Sequence, residues 1–139
     1  MIIPLSREES ELLLSECQTG HMGCITEHGP YVLPAHYIFH DGNLYLHSKA
    51  GEKIRALRKD PRVCMQVEEV QDAYRWRSAI AFGKYEEITT PDERAWFNRR
   101  ILVRFPHLTP VESLPADCAP EDIIIFRIRV EEMSGMSEG

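Results

Sequence analysis

The alternation of apolar and polar residues is clearest between Tyr31 and Val67, a stretch that reads YVLPAHYIFHDGNLYLHSKAGEKIRALRKDPRVCMQV. Asp41-Gly42 separates two apolar-aromatic runs within it, which is the strongest short-range signal for a β-hairpin. With these two residues as the loop, Ile38 faces Tyr45 and His36 faces His47, and alternation gives the hairpin two distinct faces. The buried face is predicted to contain Tyr37, Phe39, Leu44 and Leu46, and the other to contain His36, Ile38, His40, Tyr45 and His47.

Similar patterns predict six strands and three helices in the whole chain. Besides the two strands of the hairpin, strands are expected over 22–27, 62–70, 76–88 and 123–130. Helices are expected near 6–18, over 51–60, and from Thr90 to about Arg104. Capping boxes mark the starts of the first and third helices, one at Ser6 and Glu9 and the other in Thr90-Pro91-Asp92-Glu93.

Apolar spacing indicates which helix faces are buried. The residues expected there are Leu12, Leu13 and Cys17 in the first helix, Ile54 and Leu57 in the second, and Trp96, Phe97, Ile101 and Leu102 in the third.

Two residues interrupt the strands. Pro34 has no N–H to donate and so marks a sheet edge or a bulge, while Gly83 indicates a bulge or a barrel corner. The proline-rich segment 106–122 is typical of a surface loop.

These elements favour one mainly β domain of the α+β class over a doubly wound sheet. Strands that follow one another through short turns are typical of an antiparallel barrel, here with peripheral helices. The single domain is expected to cover residues 1–139, with its N-terminal helix at about 6–18 and a six-stranded barrel at about 22–132.

Composition and charge narrow the classes of function. The net charge of −6 and the isoelectric point near 5.5 argue against a general nucleic-acid or membrane-surface binder. No apolar run is long enough to span a bilayer, and the N-terminus lacks a signal-peptide pattern. The four cysteines show no CxxC spacing, so reduced thiols in a cytoplasmic protein are expected.

Basic residues are bunched between Lys49 and Arg62, around the start of the second predicted helix, and this suits a small anionic ligand. Backbone N–H groups at a helix start lack internal partners, and Ser48 and Lys53 supply a hydroxyl and a cation beside them. A lysine in the first helical turn opposes the helix dipole, which favours a bound anion over an ordinary solvated position. Ser48 is equally suited to be the helix N-cap, and the two roles are compatible.

Other candidate residues allow two interpretations. His36 and His47 are either surface histidines or ligand contacts, and their expected pairing places their Cβ atoms about 5 Å apart. Trp76 either covers a barrel end or contacts a ligand. The sequence contains no serine–histidine–aspartate order, phosphate-binding loop, zinc spacing or dinucleotide fingerprint, and no metal site is predicted. Catalysis is therefore expected to come from a cofactor that the protein orients.

Three blocks of sequence, taken in order, resemble the pyridoxamine 5′-phosphate oxidase-like flavin proteins, and most closely the branch containing the nitroimidazole-resistance proteins. The blocks are PYVLPAHYIFHDGNLYLHSKAGEKIRALRKDPRVCMQVEEV, WRSAIAFGKYEEI and IFRIRVEEMSG, and the resemblance extends from Met22 to Gly135. It implies a split β-barrel that forms a homodimer and holds two FMN molecules between its subunits.

The resemblance also implies roles for individual residues. Those expected beside the isoalloxazine ring are Leu33, Pro34, Ala35 and His36. Those expected to hold the phosphate are His47, Ser48 and Lys53. Those expected to approach the cofactor from the partner subunit are Trp76, Arg77 and Ser78. The candidates for the substrate pocket are His36 and Tyr45.

The sequence thus predicts an FMN-dependent oxidoreductase, nitroreductase-like or related to pyridoxamine 5′-phosphate oxidase. Reduced flavin, regenerated by an electron donor, would pass hydride or electrons to a small, flat, electron-poor acceptor. One alternative is a haem-binding or haem-degrading split barrel with His36 or His47 as axial ligand. Another is a module that binds flavin or deazaflavin without turnover. The visible spectrum separates the flavin interpretations from the haem interpretation, because flavin bands and a Soret band differ.

Overall fold

The structure, a computed structural model, describes residues 1–104 and 123–139. These residues form eight strands and three helices. In chain order the elements are β1 (Ile2–Pro4), α1 (Arg7–Glu16), β2 (Thr19–Thr26), β3 (Gly29–His36), β4 (Ile38–His40), β5 (Asn43–Lys49), α2 (Glu52–Lys59), β6 (Arg62–Asp72), β7 (Arg75–Glu87), α3 (Pro91–Arg104) and β8 (Ile123–Glu138).

The strands form one antiparallel sheet in the order β3-β2-β6-β7-β8-β5-β4, with β1 paired to the distal half of β8. The edges of this sheet are β3 and β4, although they are consecutive in the chain and joined through Tyr37. The sheet therefore curls round without closing, and we call the gap between its two edges the seam. This arrangement confirms the predicted mainly β, antiparallel split barrel with peripheral helices.

The strand count differs from the predicted six for two reasons. The sequence pattern does not predict β1, because a three-residue strand of exposed side chains shows no alternation. The run predicted as one strand before the hairpin loop is two strands, since β3 pairs with β2 as far as His36 and β4 pairs with β5 from Ile38. In addition, β8 continues to Glu138 because its polar second half pairs with β7 and β1.

The main core lies inside the barrel and contains the predicted buried face of the hairpin. Tyr37 and Leu44 are fully buried, and Leu46 is nearly so. The Tyr37 hydroxyl donates a hydrogen bond to the Leu14 carbonyl oxygen at 2.5 Å, which ties α1 to the barrel. The prediction that Leu12 is buried is wrong, because Leu12 is exposed and α1 turns Leu13 and Leu14 inward instead.

A second core lies between α3 and the opposite face of the hairpin. Ile38 and Tyr45 are buried there against Phe97 and Ile101 of α3, with Trp96 partly buried beside them. The mixed composition of that hairpin face is thereby explained, since α3 covers it. The Leu102 side chain, the predicted loop 106–122 and Cys118 lie outside the described residues.

The predicted local signals are confirmed where the structure describes them. Ser6 Oγ accepts a hydrogen bond from the Glu9 N–H at 3.1 Å, and Glu9 returns one to the Ser6 N–H at 3.0 Å, which completes the capping box. Pro34 lies on the edge strand β3, and the ladder between β7 and β8 shifts register at Gly83. Within the described residues, no helix combines the length and apolar composition needed to cross a membrane.

Candidate functional site

The predicted phosphate-binding residues lie at one end of the seam, where β5 leads into α2. Ser48 is near the end of β5, and Lys53 is the second residue of α2. The N-cap of α2 is Gly51, so the alternative role of Ser48 as N-cap is wrong. Gly51 supplies no side-chain hydrogen bond, and the Ser48 hydroxyl donates to the Lys49 carbonyl oxygen at 2.9 Å. The N–H groups of the first turn of α2 are therefore not capped by Gly51 or by the Ser48 hydroxyl.

Lys53 is partly buried beside the thiol of Cys24 on β2. Burial lowers the pKa of its ammonium group, because the charged form loses hydration, and Cys24 opposes this shift only in part. Over residues 1–104 and 123–139, no carboxylate lies within ion-pair distance of Lys53. A cation that is desolvated without a carboxylate partner stabilises a bound anion more than an exposed lysine does.

His47 is the third predicted phosphate-binding residue at this end of the seam. Its ring lies 5.5 Å from that of Phe97 in α3. Burial, together with the nearby His36 and Lys53, lowers the pKa of His47 to about 4. His47 is therefore neutral near pH 7, so Lys53 is not repelled by a second positive charge.

The structure corrects the expected pairing of His36 with His47. His36 is the last residue of β3, where it pairs with Thr19, and its Nδ1 lies 2.9 Å from the Thr19 hydroxyl. The hairpin ladder consists of the three pairs from Ile38–Tyr45 to His40–Asn43. The two imidazoles remain close enough for His36 to act on the pKa of His47, because β3 and β5 lie on the two sides of the seam.

The four residues expected beside a flavin ring divide between two faces of β3. Leu33 and Ala35 pack against the main core. Pro34 and His36 are exposed on the opposite face of the sheet, which we call the outer face. Because β3 is an edge strand, the backbone groups on its seam side have no ladder partner among the described strands.

Trp76, Arg77 and Ser78 also divide between faces, as strand alternation requires. Trp76 and Ser78 belong to the outer face, where the Trp76 indole N–H donates to Glu138 at 3.1 Å. Arg77 belongs to the inner face, where it donates to Glu69 at 2.9 Å and lies 3.8 Å from Glu16 of α1. The structure gives Arg77 carboxylate partners within its own chain.

The Trp76–Ser78 segment and the predicted phosphate-binding residues pair with opposite ends of β8. Ser48 pairs with Ile124 of β8, whereas Ser78 pairs with Met136 of the same strand. At roughly 3.3 Å per residue, those positions are about 40 Å apart along β8. This length follows one strand of a curled sheet, so it is an upper limit for the distance between Ser78 and the row that contains Ser48.

Tyr45 does not line an open pocket among the described residues, because only 8% of it is exposed. Its ring lies 4.9 Å from that of Trp96, and the Arg127 guanidinium lies 5.9 Å from the ring centre. Of the two residues predicted for the substrate pocket, His36 is exposed and Tyr45 is a packing residue under α3.

The sequence analysis did not identify a polar network on the outer face. His21 of β2 lies beside Gln66 of β6, and Gln66 in turn contacts Ser78 of β7. His21 alternates with buried Gly20 and Met22, so strand periodicity places it on the outer face. The contact with Gln66 is set by the register between β2 and β6, and no local sequence pattern predicts that register.

A family model and a known protein sequence each match most of this chain. Residues 6–137 match the model of a family described as pyridoxamine 5′-phosphate oxidase. An uncharacterised protein of Rhizobium meliloti is 30% identical over 142 residues, which cover 94% of this chain and 91% of that protein.

Two solved structures share the fold over almost the whole chain. A protein from Mesorhizobium loti described as FAD-binding has a TM-score of 0.80 and 26% identity, covering 100% of this chain and 99% of that chain. A candidate 5-nitroimidazole antibiotic resistance protein from Bacteroides thetaiotaomicron has a TM-score of 0.76 and 20% identity, covering 99% of this chain and 89% of the other.

Proposed function

Because this chain belongs to the pyridoxamine 5′-phosphate oxidase family, we propose that it is an FMN-binding oxidoreductase acting on a small, flat, electron-poor acceptor. The observation that carries the proposal is Lys53, a half-buried ammonium group for which the described residues provide no carboxylate. A phosphate group at this position supplies the missing counter-charge.

The residues around Lys53 fit the phosphate end of a flavin nucleotide. The first-turn N–H groups of α2 have no side-chain cap, so they are able to donate to phosphate oxygens. Ser48 is buried, and its hydroxyl now donates to the Lys49 carbonyl oxygen; rotation of the side chain would allow it to donate to a phosphate oxygen instead. His47 is neutral and supplies either a donor or an acceptor.

The edge strand β3 fits the remainder of the cofactor. Its unpaired backbone groups offer hydrogen bonds to a heterocycle lying along the seam, and Pro34 and His36 present side chains on the outer face. When bound, the flavin supplies hydride or single-electron chemistry. The protein then orients the ring, leaves one face open to the acceptor and sets the local charge.

The Mesorhizobium loti protein is described as FAD-binding, so FAD is the second candidate cofactor. FMN and FAD share the ring, the ribityl chain and the first phosphate, and the seam residues are placed to bind only this shared part. They therefore fit either nucleotide, and FMN is proposed because the sequence resemblance implies it.

A homodimer is part of this proposal. Trp76 and Ser78 lie at the opposite end of β8 from the row that contains Ser48, and a second copy is proposed to supply them to the site, as the sequence resemblance implies. In this proposal each of two flavins contacts β3 and α2 of one subunit and the start of β7 of its partner.

The direct test is to identify the cofactor. The full-length protein, purified without added flavin, is expected to show flavin absorption bands and to release FMN on denaturation, identified by its mass. Release of FAD retains the flavin site and corrects the nucleotide. Stoichiometric haem with a Soret band and no flavin overturns the proposal in favour of the haem-binding alternative.

A further inference from the structure

Three strands of the outer face are connected by side-chain hydrogen bonds. His21 Nδ1 lies 3.3 Å from Gln66 Oε1. The Gln66 amide nitrogen donates to the Ser78 hydroxyl at 3.0 Å and points toward a Glu68 carboxylate oxygen at 3.5 Å. His21, Gln66 and Ser78 therefore form a chain across β2, β6 and β7.

The Glu68 carboxylate fixes the direction of this chain. An ionised carboxylate only accepts hydrogen bonds, so the amide NH₂ of Gln66 is the group that faces Glu68. The Gln66 oxygen then faces His21, and because that oxygen cannot donate, His21 Nδ1 must carry the proton. The exposed Nε2 of His21 has no partner among the described residues, and it is left as the atom that gains and loses a proton.

His21 is connected to two segments that are expected to contact flavin. His21 pairs across the sheet with Pro34, which belongs to the strand expected beside the flavin ring. Its hydrogen-bonded chain ends at Ser78, which belongs to the segment expected to reach the partner's flavin. The titratable groups that face His21 on the neighbouring strands are His36 on β3 and Cys64 and Glu68 on β6.

We propose that His21 is the proton donor to the acceptor, and that Gln66 is a positioning residue that keeps the exchangeable proton on Nε2. The inference rests on the proposed function, because it needs an acceptor bound on the outer face. Ser78 extends the network from Gln66 to the predicted cofactor segment.

The proposed step moves one proton. As the acceptor becomes electron-rich, the Nε2–H bond of protonated His21 breaks and the proton passes to the acceptor's developing anionic atom. The bonding electron pair stays on Nε2, and the product is neutral imidazole with its proton on Nδ1, held by Gln66. Nε2 then regains a proton from a water molecule, and the hydroxide that remains is neutralised by the buffer.

The first test needs neither cofactor nor turnover. Long-range ¹H–¹⁵N NMR of the full-length protein reports which nitrogen of each neutral histidine is protonated. His21 is expected in the Nδ1–H form in wild type and in Gln66→Glu, whose carboxylate also accepts from Nδ1. It is expected to lose that preference in Gln66→Leu. An Nε2–H form in wild type, or no change in Gln66→Leu, overturns the role of Gln66.

The second test uses flavin-loaded protein and an electron-poor nitroaromatic acceptor. His21→Gln is expected to slow acceptor reduction by about a hundredfold to ten-thousandfold, the usual contribution of a general acid, with flavin affinity unchanged. His28→Gln, on the exposed turn between β2 and β3, is the matched control and is expected to keep the wild-type rate.

These measurements separate the two proposals. If flavin binds, wild type turns over and His21→Gln keeps the wild-type rate, the assignment of His21 is overturned and the proposed function stands. If the wild-type protein binds no flavin, the proposed function fails, and the role of His21 in acceptor reduction fails with it. In that case the NMR result still decides whether Gln66 sets the tautomer.

Discussion

At the residue scale, the candidate site contains basic side chains whose charged forms are disfavoured by burial. Lys53 loses hydration beside Cys24 without gaining a carboxylate among the described residues, and burial also keeps His47 uncharged. A desolvated basic group lowers the stability of the protein when no ligand is bound. Each of these residues therefore affects both the stability of the apoprotein and its affinity for ligand.

Replacing Lys53 with methionine isolates the phosphate contact. A hydrogen bond to a charged group contributes about 1.5–3 kcal/mol, so Lys53→Met is expected to weaken FMN binding by roughly ten- to a hundredfold. Riboflavin lacks the phosphate and should bind both proteins almost equally. The apoprotein should be as stable as wild type or more so, because a desolvated cation is removed from the positive end of a helix.

Quenching of flavin fluorescence during titration measures both affinities, and thermal unfolding of the apoprotein measures stability. Lys59→Met is the matched control, because Lys59 is exposed in the last turn of the same helix. Equal weakening of both flavins by Lys53→Met, or unchanged FMN binding, would place the phosphate elsewhere.

His47 gives the apoprotein a specific pH dependence. Its pKa is about 4 in the fold against 6.5 ordinarily, so between these values the unfolded chain binds a proton that the folded chain does not. Stability is therefore expected to fall as pH decreases from about 6.5 to 4, by at most about 3 kcal/mol. Urea unfolding across this range should show a shallower slope in His47→Gln, and an identical slope would contradict the assignment.

A bound phosphate should reverse part of this effect. An anion near His47 favours the charged imidazole, so NMR titration is expected to show a higher pKa for His47 with FMN than without it. Riboflavin should leave the pKa closer to that of the apoprotein.

At the scale of elements, strand pairing is predictable from local sequence patterns in some places and not in others, for physical reasons. The hairpin register from Ile38–Tyr45 to His40–Asn43 was predictable because a two-residue turn fixes it. The expected His36–His47 pair was wrong because β3 leaves the hairpin to pair with β2, and such a change of partner has no local signature. Ser48 and Lys53 were predicted as phosphate ligands from helix-start chemistry, whereas Gln66 was not singled out, because its contacts depend on pairing between distant strands.

The bulge in β7 permits a test at this scale. At Gly83, where the ladder with β8 shifts register, an added Cβ would overlap the Arg129 carbonyl oxygen. Gly83→Ala is expected to destabilise the protein by about 1–3 kcal/mol or more, since backbone atoms cannot move aside as side chains do. Gly51→Ala is the control without a steric clash, because a Cβ at Gly51 meets no atom within 4 Å; since Gly51 is the N-cap of α2, this variant is expected to cost only about 1 kcal/mol or less. Equal denaturation midpoints for the two variants would contradict the proposed steric role.

At the scale of the whole molecule, the proposal depends on a site that two subunits share. Trp76→Ala is expected to weaken FMN binding while keeping the fold, because an aromatic wall contributes on the order of 1 kcal/mol beyond its buried area. Tyr74→Ala, on the exposed turn before β7, is the matched control. A flavin-loaded monomer in sedimentation experiments would contradict the shared site.

Mixing two variants gives a sharper result. Lys53→Met and Trp76→Ala homodimers each carry two impaired sites. In a mixed dimer with shared sites, one site combines the intact Lys53 of one subunit with the intact Trp76 of the other, and the second site has both defects. Isolated mixed dimers are therefore expected to bind one FMN with wild-type affinity. If both groups act within one chain, no wild-type site appears.

The position of β8 has a consequence for biosynthesis. β8 pairs with β1, β5 and β7, and every other strand precedes it in the chain. During translation, the β4–β5 hairpin therefore leaves the ribosome without its sheet partner, as does one edge of the long strand β7. Unpaired edges are sites of aggregation, and chains are synthesised at about 5–20 residues per second. The nascent chain is therefore expected to be prone to aggregation until β8 has emerged from the ribosome.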